Sequence, residues 1–242
     1  MPLLHDDDVH VLQEALLAVG RSTGEVSAAI LLPLLSHDSP AVRGAAAVAL
    51  ARYQPAVAIK AISAQLHREI VSERVLYDNH QKNGGSPLFT QAEIVAIMSS
   101  FKCQMEMVRA ISMLKGVDAT REMTVLAFQP DKYFSQYDGI IAGFQLWDRI
   151  GENVVVAVQA LGSNDEQVAD RAEWMLVKAG ADVLPEVRKA LDSTSKTVRE
   201  RAIRIVAWHG DRASLERLRA MSAEKSDLAI WAIAKIETMS PN

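Results

Sequence analysis

The stretch SHDSPAVRGAAAVALARY, residues 36–53, decides the fold. Its apolar residues recur at three- and four-residue spacing, which predicts one buried face of a helix. They are Val42, Ala46, Ala49 and Leu50. A matching set stands 31 residues earlier, at Val11, Ala15, Ala18 and Val19. A helical unit that recurs along the chain is therefore predicted.

The C-terminal half carries the same kind of repeat with a period of 30 residues. Alanine recurs at Ala142, Ala172, Ala202 and Ala232. Apolar residues stand four positions later, at Leu146, Leu176, Val206 and Ile236, and a second series runs through Leu161, Leu191 and Met221. A small residue at a fixed place lets two helices approach closely, while branched neighbours on its face fill the core. Gly180 and Gly210 are predicted to end helices.

Residues 36–53 resemble a HEAT repeat of the short bacterial kind named after phycobilisome lyases. That family's ladder between repeats uses an Asp followed four and five positions later by Val-Arg, which Asp38, Val42 and Arg43 match. Later copies are degenerate: Thr194 precedes Val198-Arg199, and Asn164 precedes Val168-Ala169. The resemblance implies an all-α fold, an α-solenoid (α-α superhelix) of about six or seven HEAT-like hairpins, because such units must stack to bury a core.

We expect one repeat domain over residues 1–242, with N-terminal repeats at 1–76, a loop at 77–90 and the remaining repeats at 91–242. The loop, YDNHQKNGGSPLFT, is polar and contains Gly84-Gly85 and Ser86-Pro87. It is either a plain connection or a mobile binding loop. Residues 99–128 look like a further copy that aligns on Ala110 or on Val108-Arg109.

Composition excludes several classes of protein. The chain has 242 residues, 49% of them hydrophobic, a formal charge of −4 and a single cysteine, Cys103. One cysteine excludes an internal disulfide framework and a cysteine-based zinc site. No apolar run reaches the ~20 residues that span a bilayer, and the N-terminus carries three carboxylates where a signal peptide is apolar. A cytoplasmic protein without membrane segments is expected.

The sequence offers no catalytic motif, so we predict no catalytic residue, no cofactor and no metal site. The densest set of potential ligands is His5, residues 6–8 and His10. Acids before a first helix are typical of favourable dipole contacts, which we favour over a metal site. We expect His209 to be stabilised by a helix C-terminus or buried in the core, and Cys103 to be a small buried hydrophobe.

On a helical wheel, the residues one position before, two after and six after the recurring alanine of each repeat fall on the same side of the helix, which we call the arc. In the HEAT family the Val-Arg helix lines the concave surface, so by resemblance this arc faces a groove. Tryptophan and arginine together are typical of binding hot spots. The alternative is that the tryptophans pack between repeats under the Arg and Lys stems. The predicted groove residues are Arg171, Trp174, Lys178, Arg201, Arg204, Trp208 and Trp231.

Three functions remain open from the sequence. We favour a non-enzymatic protein-interaction module: a scaffold, an adaptor or an inhibitor of the immunity-protein type. The first alternative is an enzyme or subunit similar to the phycobilin lyases. The second is a DNA-binding protein resembling the HEAT-like alkylpurine DNA glycosylases, for which Asp148 would be the acid. The net charge of −4 argues against nucleic acid, because phosphate contacts supply most of the affinity for DNA.

Charge is unevenly spread along the chain. Residues 1–38 hold six acids and one arginine, a net −5, whereas residues 187–225 hold ten basic and five acidic residues, a net +5. Such runs are usually solvated faces. The other interpretation is two poles with different partners or head-to-tail self-association.

Overall fold

The computed structural model describes residues 2–22, 26–82, 88–128 and 150–239, and every regular element in these ranges is a helix. The all-α prediction is confirmed. The chain forms two compact units, Met1–Met123 and Thr124–Asn242, and each is described by itself. None of the described helices combines the length and the apolar character that crossing a membrane requires.

Long helices surround a buried central helix in the first unit. After a short 3-10 turn at Pro2–His5, the helices are α1 (Val9–Val19), α2 (Ala28–Leu34), α3 (Pro40–Tyr53), α4 (Pro55–Lys82) and α5 (Gln91–Met113). α6 (Val117–Phe128) contains the division between the units. The stretch that suggested the repeat is α3, which packs against α1, α2, α4 and α5. Its Val42, Ala46, Ala49 and Leu50 are fully buried, as predicted.

The loop predicted at residues 77–90 begins later than the sequence indicated, because residues 77–82 form the end of α4. His80 stacks on Phe89 with ring centroids 3.9 Å apart, and its Nδ1 lies 3.2 Å from Glu93 Oε1. Thr90 and Glu93 form a capping box at the start of α5. The stacking and the polar contact of His80 hold the last turn of α4 against residues that follow it, and the polar sequence did not reveal these contacts. Residues 83–87 lie outside the described ranges.

Three helical hairpins lie within residues 150–239 of the second unit. They are α7 (Val154–Ala160) with α8 (Glu166–Lys178), α9 (Leu184–Ala190) with α10 (Lys196–Trp208), and α11 (Leu215–Ala223) with α12 (Asp227–Thr238). A 3-10 turn precedes the shorter helix of each pair, at Gly151–Asn153, Ala181–Val183 and Arg212–Ser214. The longer helices pack in chain order, α8 on α10 and α10 on α12. This packing is consistent with the predicted solenoid, which stays a prediction, as does the single repeat domain.

The 30-residue register is confirmed in the second unit. Ala172, Ala202 and Ala232 lie on α8, α10 and α12 and are fully buried. The second series is buried too, at Leu161, Leu191 and Met221. Gly210 follows α10 with a φ of +66°, the left-handed conformation that glycine adopts readily, whereas Gly180 follows α8 in extended backbone. The first copy, around Ala142, lies outside the described residues.

Candidate functional site

Four of the predicted arc residues, Trp174, Lys178, Arg204 and Trp208, line an open pocket between α8 and α10, whereas Trp231 does not line it. Trp208 is 55% exposed and Trp231 on α12 is 41% exposed, while Trp174 is half-buried. The pocket has a volume of about 570 Å³. Its lining residues are Asp170, Glu173, Trp174, Val177, Lys178, Arg204 and Trp208. Trp174 and Trp208 therefore share one depression, as the groove prediction expects.

The two α10 arginines are held by carboxylates of α8 and do not extend freely into this pocket. The Nη1 of Arg201, a buried residue, lies 2.8 Å from Glu173 Oε2 and 2.7 Å from Asp170 Oδ1. Arg204 donates twice to Glu173, at 2.5 and 2.8 Å. The hydrogen bonds with Glu173 raise the pKa of Arg204 despite its partial burial. These cations form the junction between two helices, so the expected cationic groove is less cationic than the sequence indicated.

Arg171 departs furthest from the predicted role. It is buried, and its Nη1 donates to the carbonyl oxygen of Ala127 at 2.5 Å. Burial lowers its pKa below the usual arginine value. Its place on the arc is correct, but that part of the arc faces protein, so Arg171 does not line the pocket.

Two lysines lie at this surface, one on the ring of Trp208 and one at the edge of the pocket. The Nζ of Lys235, on α12, lies 4.0 Å from the centroid of a Trp208 ring, a cation–π contact. Lys178 lines the pocket from the end of α8 and is exposed. Among the described residues, neither lysine has an ion-pair partner. Lys235 was absent from the predicted set because it stands three positions after Ala232, outside the arc.

Sequence reasoning also missed the two acids, Asp170 and Glu173. They are on the same helix as Arg171, whereas their partners Arg201 and Arg204 are about one repeat later. Asp170 stands 31 positions before Arg201, and Glu173 stands 31 positions before Arg204. A search for acids at one position more than the 30-residue period before each cation would have found this signal.

The basic stretch at residues 187–225 is largely neutralised in the fold. Arg188 and Arg217 pair with acids inside the stretch, Asp211 and Asp192. Other cations pair with acids outside the counted window: Lys189 with Glu186, Arg219 with Glu237, and Arg201 and Arg204 with Glu173. The net charge counted from the sequence of residues 187–225 therefore overstates the positive charge of this region in the fold.

A second cavity lies in the first unit among α1, α3 and α5, with a volume of about 390 Å³. Its lining includes Gly44, Lys102, Cys103 and Glu106. Cys103 is buried and burial raises the pKa of its thiol to about 12, so the reactive thiolate is scarce at neutral pH. The prediction of Cys103 as a small buried residue is confirmed.

The histidine-rich N-terminus acts as a helix cap. Asp8 accepts hydrogen bonds from the backbone N–H groups of His10 and Val11, which lower the pKa of its carboxyl. In the described ranges, no three potential metal-ligating side chains come together. His209 is the residue that ends α10, at the helix C-terminus that the sequence predicted, and its Nε2–H also donates to the carbonyl oxygen of Leu176 on α8 at 2.8 Å.

Comparison with known proteins adds two solved structures. No protein-family model matches the chain, and no curated protein matches it. Crystal structures of two engineered proteins from a structural genomics consortium are similar at 18% sequence identity. One covers 97% of this chain and 76% of its own with a TM-score of 0.32; the other covers 98% and 94% with a TM-score of 0.28. The HEAT resemblance accordingly stays a prediction.

Proposed function

We propose that this protein is a non-enzymatic interaction module that binds a protein partner through the surface around Trp174, Trp208 and Trp231. The observation that carries the proposal is the exposure of Trp208 beside a pocket of about 570 Å³. A large indole ring left in water is costly, and tryptophan in such a position is typical of binding hot spots. Trp174 lines the same pocket from α8, and Trp231 is exposed on the next of the longer helices, α12.

The charges of this surface support a protein partner over DNA. A DNA-binding groove needs cations free to meet phosphates. Arg201 and Arg204 are instead paired with Glu173, and Arg171 is buried. The acid of the DNA alternative, Asp148, lies outside the described residues. No specific observation favours that alternative or the bilin-lyase alternative.

The test is selection of a random twelve-residue peptide library, displayed on phage, against the purified chain. We expect enrichment by the wild-type protein and its loss with Trp208→Ala. Arg204 is unsuitable for this purpose, because its removal leaves Glu173 with one cation fewer. The matched control is Ile94→Ala on α5, which truncates another exposed apolar side chain and should leave enrichment unchanged. Equal enrichment by wild type and Trp208→Ala would contradict the proposal.

A further inference from the structure

The charges around the pocket fall into two groups. Asp170 and Glu173 are matched by Arg201 and Arg204, whose side chains contact them at 2.5–2.8 Å. These two acids and two bases sum to zero. The net charge that the open surface offers a partner therefore comes from the residues outside this network.

Two cations outside this network are Lys178 and Lys235, whereas Glu200, which also acts on Arg204, is matched by Lys196 at 3.6 Å. Lys178 lines the pocket, and Lys235 lies on the face of the exposed Trp208. Neither ammonium group has a carboxylate partner among the described residues; Lys235 lies 4.0 Å from the centroid of a Trp208 ring, and Lys178 lines the same pocket as Trp208. The surface thus combines two available cations with an apolar floor formed by Trp174, Val177 and Trp208.

We propose that this surface binds an acidic segment of a partner protein that carries an aromatic or large aliphatic anchor. The anchor enters the pocket between Trp174 and Trp208, and carboxylates beside it pair with Lys178 and Lys235. Electrostatic complementarity of this kind sets partner choice and association rate. The proposal rests on the proposed function and adds the chemistry of the partner to it.

Nucleic acid is also anionic but fits this surface less well. A nucleic-acid strand presents a regular row of phosphates, and its affinity grows with the number of cations that meet them. In the part of the chain that the structure describes, this surface offers two lysines without ion-pair partners, one lining the pocket and one on the Trp208 ring. A short acidic peptide with one apolar anchor matches two cations and a single pocket.

The experiment reads the composition of the peptides that the wild-type chain enriches from the phage library. We expect an excess of Asp and Glu around a Phe, Trp or Leu. The consensus peptide is then synthesised and its affinity measured by Trp fluorescence. Lys178→Glu with Lys235→Glu should weaken binding by about tenfold or more, because two attractions become repulsions. Added salt should weaken wild-type binding.

Two further variants control for folding and total charge. Lys178→Gln with Lys235→Gln removes the charges without reversing them and should fall between wild type and the Glu variant. Lys60→Glu with Lys115→Glu changes the net charge equally, at exposed positions of the first unit, and should bind as wild type does. Circular dichroism melts verify that each variant is folded.

The outcomes separate the two proposals. Enrichment of basic or uncharged peptides that still depends on Trp208 would overturn the acidic partner and leave the proposed function standing. An absence of enrichment over Trp208→Ala would overturn both. Tighter, lysine-dependent binding of a single-stranded oligonucleotide than of the peptide would assign the surface to nucleic acid and overturn the inference.

Discussion

Arg43 and Arg199 make the same pair of hydrogen bonds in their respective units: each donates Nη1 to the backbone carbonyls five and six residues before it. The acceptors are His37 and Asp38 at 2.8 Å for Arg43, and Ser193 and Thr194 at 2.7 and 2.9 Å for Arg199. The arginine of the Val-Arg pair thus stabilises the turn that precedes its own helix. Because Asp38 contributes its carbonyl, Thr194 can replace the aspartate at the equivalent position without losing this contact.

Arg199→Ala should destabilise the chain by about 1–3 kcal/mol, since it removes two charge-assisted hydrogen bonds from a turn. Urea unfolding followed by circular dichroism measures the change. The matched variant is Thr194→Asp, which places at an exposed position the residue type that Asp38 supplies in the first unit and should stay within about 0.5 kcal/mol of wild type. A large gain from Thr194→Asp would show that the side chain, and not the carbonyl, supports the turn.

Ala202→Leu should destabilise by roughly 1–3 kcal/mol, because the alanine is fully buried where α10 meets its neighbours and extra methyl groups force them apart. The control is Ala220→Leu on α11, an exposed alanine where a larger side chain meets solvent. Thermal melts compare the two. If both variants melted at the wild-type temperature, the packing role of the alanine column would be refuted.

Asp211 should make the stability of the fold depend on pH in the acid range. Burial alone would raise the pKa of this carboxyl, but hydrogen bonds from Arg188 and Ser214 outweigh burial and lower it below 3.8. A depressed pKa in the folded state means that the stability from Asp211 is present above pH 3.8 and is lost as the pH falls through the folded value. Asp211→Asn should therefore cost about 1.5–3 kcal/mol near pH 7 and less at pH 3.

The check on Asp211 is urea unfolding at a series of pH values. Asp192→Asn is a useful comparison, because Asp192 pairs with Arg217 at an exposed site where ion pairs contribute about 0–1 kcal/mol. An equal cost at pH 3 and pH 7 for Asp211→Asn would mean that its charge contributes nothing.

The pH dependence of stability that Glu73 confers should have the opposite sign to that of Asp211. It is buried on α4, and burial raises the pKa of its carboxyl above 4.5, although Gln104 donates a hydrogen bond to it. A raised pKa in the folded state means that the ionised carboxylate opposes folding at neutral pH, and that this cost disappears as the pH falls. Glu73→Gln keeps the shape of the side chain and should raise the free energy of unfolding at pH 7.

The gain from Glu73→Gln should shrink as the pH falls through the raised pKa of folded Glu73 towards the ordinary value of 4.5, because the wild-type carboxyl is then protonated in the folded chain. Chemical unfolding at pH 7 and pH 4 measures both values. Glu14→Gln on α1 serves as the control, since that side chain is exposed and should change stability little at either pH. A loss of stability at pH 7 would show that Glu73 is more favourable charged than neutral.

The sequence predicted the elements better than it predicted their contacts. Ala202 was assigned correctly because helical spacing and a 30-residue period are both local signals. The end of α4 was missed, since the stacking of His80 on Phe89 holds residues whose polarity indicates a loop. The polarity of these residues does not reveal that an aromatic ring later in the chain will stack on one of them.

The candidate site was predicted in part for the same reason. Trp208 and Lys178 line the pocket as the wheel indicated. Arg201 was placed on the right side of its helix, but a wheel describes one helix alone and does not include the carboxylate of Glu173 on the neighbouring one. Whether a cation faces solvent or a partner helix depends on the crossing of two helices, which spacing along the chain does not encode.

The carboxylate of Glu173 also fixes the order in which the hairpins stack. Arg201 and Trp231 occupy the same place in successive repeats, as do Arg204 and Ala234. If α12 stacked on α8 in place of α10, an indole and a methyl group would meet Glu173, and a mostly buried charge would lose both its cations. That mismatch penalises a misassembled chain. The ion pairs therefore favour the native stacking order over one in which similar repeats have exchanged places.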